Sequence, residues 1–407
     1  MKKIPLIFLT SSQSLKRSGG IETWLNNILK NPPRDYSIYI ICPYSPSNIE
    51  SKNNPKYKLL QCNEFINLSS NRLISLIIIT YNFILFTLYS SIHILSLRLK
   101  LNTPITIVGL HTFPTMISIP FIKLFLKNSN IIAYVRGTIT KDIYDEKRKF
   151  IGLSYFLIEK IIIRLSDHIF SNGKDTAAYL MKYYNCNSKV LLNGVNTKNP
   201  SLSSINNQCF VLKKIKDLKK LGFKIVLTLG TIRAVKGIDY VISSIKYMQG
   251  HSNYSTLTDK FAFVFVGKGQ LSHYRSIVKN NNLNNVYFLG ETSNIFPLLD
   301  LTDFAFAVSG GGGISHSAIE LQSRGIPTIA WNNLTYSQII KHNFNGILVK
   351  DKSTKALANG LIKLLKNPNL VSKISNNSIS LSKKYDWEYV KKNFYQAIYS
   401  IVYENEK

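Results

Sequence analysis

Four consecutive glycines, Gly310 to Gly313, stand between an apolar run ending at Val308 and a helically spaced segment that carries one carboxylate, Glu320. Glycine lets backbone N–H groups come close to an anion, and a helix N-terminus behind them adds about half a positive charge. Gly313, Ile314 and Ser315 are placed to present such amides, with Gly312 on the same approach. A carboxylate two turns further on reaches an adjoining part of the same ligand. The residues by themselves equally allow a flexible turn. No G-x-x-x-x-G-K-[ST] phosphate loop occurs, and the GKGQLS that begins at Gly267 lacks the third glycine of a dinucleotide fingerprint. His111, directly after a strand-like run, is open to a chemical role or to capping and packing.

These residues need strands and helices to hold them. IPLIFL, YSIYIIC, ITIVGLH and NIIAYVRG alternate with helical patterns, including one from Glu22 to Leu29 and one ending in IIIRLSDHIFSNG. Strand and helix in alternation predict a parallel α/β sheet. The polar stretch Asn196 to Gln208 breaks the rhythm and reads as a linker. FKIVLTLG, FAFVFVG, NVYFLG, DFAFAV, IPTIA and GILV then resume it. The expected organisation is an N-terminal Rossmann-like domain over 1–198, a C-terminal one over 209–385, and a last helix in 386–407 able to pack back on the first. Ligand binding is expected in a cleft between them, at the carboxyl ends of parallel strands.

The chain has 407 residues, 45% of them hydrophobic and 12% aromatic, enough for two ordinary domains with cores. Its formal charge of +29 suits polyanionic surroundings: nucleic acid, anionic lipid headgroups or phosphorylated ligands. The lysines are scattered, so a general compositional bias explains the charge equally well. No zinc-finger spacing, RNA-recognition signature or basic arm with interleaved aromatics supports nucleic acid. Cys42, Cys62, Cys186 and Cys209 form no C-x-x-C pair and read as reduced thiols. The apolar run Ile4 to Leu9 is too short for a secretory h-region, so a buried first strand is expected rather than a leader. Between Arg72 and Arg98 lies an uncharged segment long enough to span a bilayer. Its interspersed Ser, Thr, Asn and His, and the strand that follows directly, favour a long helix that is partly core and partly membrane-facing.

Several landmarks in order make the chain resemble the family 4 glycosyltransferases of the GT-B fold. They are SGGIETWLNNI (from Ser18), IEKIIIRLSDHIFSNG (from Ile158), LLNGVN (from Leu191), GTIRAVKGIDYVISSI (from Gly230), FVGKGQL, VYFLG, SGGGGISHSAIE, GIP and FNGILV. The resemblance implies two Rossmann-like domains facing across a central cleft. It also implies that Glu320 accepts hydrogen bonds from the ribose hydroxyls of a nucleotide-sugar. The family motif has a second glutamate where this chain has Gly312, and a His-Gly where it has Arg136-Gly137. Arg136 cannot act as a base but can hold a phosphate or a sugar hydroxyl, with His111 as a partial substitute. Lys236 matches a lysine that meets the donor pyrophosphate; the accompanying arginine position is Thr231 here, and Arg233, two residues on, is the candidate replacement. Gly19 and Gly20 would let the first loop approach the same phosphate. The absence of any Asp-x-Asp pair removes the ligands of the metal clamp used by the other glycosyltransferase fold, so neither metal nor cofactor is expected.

The expected activity is retaining transfer of a sugar from a nucleotide-sugar to a glycan or lipid-linked acceptor in bacterial cell-surface polysaccharide synthesis. The expected place is the cytoplasm, peripherally on the anionic inner face of the cell membrane. The alternative is a catalytically degenerate GT-B protein that partners an active transferase.

Overall fold

The computed structural model describes residues 3–11, 20–43, 56–62, 66, 72–137, 149–196, 210–292, 294–310 and 314–404. The chain divides into two compact units, Met1–Asn193 with Trp387–Lys407, and Gly194–Asp386. Gly19, Gly312 and Gly313 lie outside the described residues, as does most of the linker stretch.

The first unit is a seven-stranded sheet. Its strands are β1 (Ile4–Leu9), β2 (Tyr36–Cys42), β3 (Lys58–Gln61), β4 (Thr106–Gly109), β5 (Asn130–Val135), β6 (His168–Ser171) and β7 (Lys189–Val190), in the order β3-β2-β1-β4-β5-β6-β7. All pairings are parallel. β1, β4 and β5 are buried along their whole length, which is why they read as continuous apolar runs without alternation. The helix Trp387–Glu404 packs on one face of this sheet, with the Phe394 ring 5.9 Å from Phe8 and 5.1 Å from Trp24. On the other face lies the 30-residue helix Arg72–Leu101, which contributes Phe86, Ile94 and Leu97 to the core.

The segment IIIRLSDHIFSNG is not the end of one helix. The helix Lys149–Leu165 stops, and His168–Ser171 becomes β6. Asp167 turns the chain: its carboxylate accepts the Ile131 N–H at 2.9 Å and holds Lys123 Nζ at 2.7 Å, so the backbone is drawn to the edge of β5 and pairs there. Side-chain capture from a distant strand outweighs the local helical pattern.

The second unit is a six-stranded parallel sheet. Its strands are β8 (Lys224–Leu229), β9 (Phe261–Val266), β10 (Val286–Gly290), β11 (Phe304–Ala307), β12 (Thr328–Trp331) and β13 (Ile347–Val349), in the order β10-β9-β8-β11-β12-β13. Asp303, just before β11, repeats the device seen in the first unit, accepting the Ile225 N–H at 2.7 Å and pairing with Lys219. Each unit is Rossmann-like.

Candidate functional site

In the second unit the strand order reverses between β8 and β11, so the loops after these strands meet at the carboxyl edge of the sheet, the usual ligand position in open α/β sheets. The loop after β8 carries Arg233 and Lys236; the loop after β11 leads through Ser309 and Gly310 to the helix His316–Ser323. The Gly310 N–H donates to the Val235 carbonyl at 3.0 Å. Gly237, at φ 72°, lies so close that a Cβ there would stand 2.0 Å from the Val308 carbonyl oxygen. Tyr336 braces the second loop: its hydroxyl accepts the Ser309 N–H at 2.7 Å, and burial pushes its pKa up to about 12. Gly267, at φ 149°, packs against Gly230, where a Cβ would fall 1.9 Å from the carbonyl oxygen. Its place is to let two loops touch.

Ser315 caps the His316–Ser323 helix, its Oγ accepting the Ala318 N–H at 3.3 Å. Its side chain is thereby engaged, and the backbone N–H groups of Ile314 and Ser315 remain as the candidate anion donors at that helix start. Glu320 lies in the same helix and is half-buried. Among the described residues no hydrogen-bond donor meets its carboxylate, and burial pushes its pKa up to about 7. An unpaired, partly desolvated carboxylate of this kind accepts hydrogen bonds from neutral hydroxyls readily.

The first unit assembles a second cluster at the carboxyl ends of β4 and β5. Arg136 follows β5, with its guanidinium 4.8 Å from the ring centres of both Trp24 and Tyr134. Its Nη2 donates to Asn193 Oδ1 at 2.7 Å and to the Gly20 carbonyl at 3.3 Å. Nε and Nη1 are buried and have no hydrogen-bond partner among the described residues. His111, at φ 121°, is buried beside it; its Nδ1 accepts the Thr112 N–H at 3.2 Å, so the neutral ring carries its proton on Nε2, which faces Gly137. Burial lowers the His111 pKa, Glu159 opposes that, and Arg136 adds to it. The imidazole is therefore a neutral hydrogen-bond donor near pH 7.

Beneath His111 lies Glu159, 1% exposed. It accepts from Thr112 Oγ1 at 2.5 Å, Tyr179 at 2.8 Å and Tyr184 at 2.5 Å. Sequence reasoning passed over Glu159 and Tyr336. The signal for Glu159 was available, since it is the one acid in the otherwise apolar and basic run SYFLIEKIIIRL. Tyr336 had no such mark. Among the described residues, no three His, Cys, Asp or Glu side chains cluster as metal ligands. A groove of about 510 Å³ lined by Tyr36 and Tyr395 opens at the start of β2, at the opposite edge of the sheet from the Arg136 cluster.

Residues 212–380 match the family described as glycosyl transferases group 1. The C-terminal unit is a group 1 glycosyltransferase domain. An uncharacterized glycosyltransferase of Methanocaldococcus jannaschii is 24% identical over 404 residues, covering 95% of this chain and 96% of that one. Among solved structures, Anabaena HepE in complex with UDP superposes with a TM-score of 0.72 at 14% identity, over 98% of this chain and 100% of the other. WaaG, a glycosyltransferase involved in lipopolysaccharide biosynthesis, superposes at 0.68 with 14% identity, over 96% and 98%. The fold is GT-B.

Proposed function

We propose that the protein is a family 4 member that transfers a sugar, with retention of configuration, from a nucleotide-sugar to a glycan or lipid-linked acceptor in bacterial surface polysaccharide assembly. The observation that carries this reading is the second-unit site: two loops locked together at the strand-order reversal, with a helix start and an unpaired half-buried Glu320 beside them. In this reading Glu320 accepts hydrogen bonds from the ribose hydroxyls, while Ile314 and Ser315 amides and the Gly312–Gly313 segment meet the diphosphate. Lys236 and Arg233 oppose the negative charge that grows on the diphosphate as the glycosidic bond breaks. The acceptor hydroxyl passes its proton to the donor phosphate, so the replacement of histidine by Arg136 removes no required base. Arg136 and His111 offer N–H donors to a phosphate or sugar hydroxyl, and Gly19 and Gly20 let the first loop approach the phosphate. No metal takes part in this scheme. The UDP complex of HepE and the lipopolysaccharide role of WaaG support the donor class and the setting.

The test is calorimetry of the full chain against a panel of nucleotide-sugars, with and without EDTA. Binding of one donor, unchanged by EDTA and weakened about tenfold to a hundredfold in Glu320→Gln, is the expected result. Wild-type affinity in Glu320→Gln would remove the ribose role.

One observation favours a second reading. Gly312 stands where the family motif has a glutamate, as expected of a degenerate copy that partners an active transferase. Donor binding without sugar transfer to any glycan or lipid-linked acceptor would establish it.

A further inference from the structure

Two helices of the first unit bury one apolar face and leave a second apolar stripe turned to solvent. In Arg72–Leu101 the face turned to the core carries polar Asn82 and Ser90 beside Phe86 and Ile94. Asn82 is tied down by two bonds to the Ile66 backbone, each 3.0 Å. The outward face carries Ile77, Tyr81, Ile84, Leu88, Ile92 and Leu99, spaced by three, four or seven residues, with Ile77 68% and Leu99 80% exposed. From Ile74 this stripe runs about 37 Å at 1.5 Å per residue. Lys149–Leu165 buries Glu159 together with Ile162 and Ile163, and still leaves Leu153, Leu157 and Ile161 exposed at i, i+4 and i+8.

The short helix Ile119–Ile122 packs against both, and the turn after it exposes Leu124 and Phe125 beside an exposed Phe121. The Phe113 ring joins the two helices from below, 5.3 Å from Phe83 and 4.5 Å from Tyr155. Soluble monomers rarely leave an apolar face this extended. The exposed Asp167 at its edge is paired with Lys123 at 2.7 Å, and the charges beyond that pair are basic. Lys100, Lys127, Lys160 and Arg164 are exposed on these segments, and the only acid in 72–101, 119–127 and 149–165 is the buried Glu159.

We propose that this face docks the protein on an anionic lipid bilayer, with the Arg72–Leu101 helix lying flat in the headgroup–acyl boundary. An apolar stripe rimmed by cations matches that surface in both area and charge. A second copy of the chain is the poorer partner, because a two-fold contact would bring like charges together. The helix is long and apolar enough to cross a membrane. Crossing would strip Phe86, Ile94 and Leu97 from the sheet they cover, so it stays on the surface. The docking is independent of the sugar-transfer reading: a chain that binds no donor would attach equally well.

The experiment is flotation of the full chain with vesicles of phosphatidylcholine alone or with about one-third phosphatidylglycerol. Binding to the anionic vesicles, reduced by raising salt, is expected. The variant Ile84→Glu/Leu124→Glu/Leu157→Glu should lower partitioning at least about tenfold while keeping the thermal midpoint, because all three side chains already face solvent. Equal binding of wild type and variant, or failure of wild type to bind, would overturn the proposal. So would a concentration-dependent dimer that the variant abolishes without vesicles present, or attachment in cells that only detergent reverses. Nucleotide-sugar affinity measured without vesicles should be the same in both proteins, which separates this result from the fate of the catalytic reading.

Discussion

The two candidate clusters both lie at the carboxyl edge of their sheets, after β8 and β11 in the second unit and after β4 and β5 in the first, and are built from different materials. In the second unit the loops are locked chiefly by backbone: Gly237 against Val308, Gly267 against Gly230, and the Gly310 N–H on Val235, with the Tyr336 hydroxyl as a side-chain brace. In the first it is made of side chains: Arg136 between Trp24 and Tyr134, and His111 over a Glu159 that three hydroxyls hold. A backbone-built site presents fixed dipoles, which suits a ligand part that is always a phosphate. A side-chain-built site can be re-specified by substitution, which suits whatever varies from one substrate to another. The contrast teaches where to expect rigidity and where specificity.

The largest test of that contrast is Gly267→Ala. The new methyl meets a carbonyl oxygen at a backbone angle that L residues rarely adopt, so unfolding free energy should fall by about 2–4 kcal/mol in chemical denaturation. A loss below about 0.5 kcal/mol would show that these loops are not locked. In the first unit, Glu159→Ala strands the hydroxyls of Thr112, Tyr179 and Tyr184 and should cost about 3 kcal/mol in the same assay. Glu159→Gln, which keeps one acceptor oxygen, should recover part of it; no recovery would mean that shape rather than hydrogen bonding matters there.

Next comes pH. The Glu320 carboxyl stands at about 7 in the fold against 4.5 for the free group, so the fold disfavours its charged form. Stability of the ligand-free protein should be fullest below pH 4.5, decline as pH rises to about 7, and then level off. Thermal melts of Glu320→Gln should lack that decline, leaving the variant about 1–3 kcal/mol better placed at pH 8 than at pH 4 relative to wild type. Donor affinity should move oppositely, rising through pH 7 as the accepting carboxylate forms. Parallel melting curves for the two proteins would place the carboxyl in water. The smallest effect expected is at the exposed Arg233, where Arg233→Ala should weaken nucleoside diphosphate binding a few-fold in calorimetry, less than Lys236→Ala.

The strands were readable because parallel strands covered on both faces become unbroken apolar runs, as in IPLIFL, NIIAYV and FAFVFV. Glu320 was legible as a candidate from the glycines that precede its helix, and it lies half-buried in the helix that follows β11. Arg136 and His111 were legible as candidates by position but not as neighbours. What the linear chain could not show is contact between residues far apart in it. Asp167 leads the chain into β6 only because Ile131 and Lys123 are there to bind it. Glu159 is a buried anchor only because Thr112 and two tyrosines surround it, and Tyr336 braces Ser309 from 27 positions away. The helix Arg72–Leu101 states the limit most clearly. Its sequence determined that it is long, helical and apolar; only the packed sheet decided that Asn82 and Phe86 turn inward and Ile77, Ile84 and Leu88 outward. Hydrophobic periodicity reveals a helix's faces when polarity sorts with burial. Here a buried amide satisfied by a neighbouring backbone lets a second apolar stripe stay outside, and that choice belongs to the tertiary structure alone.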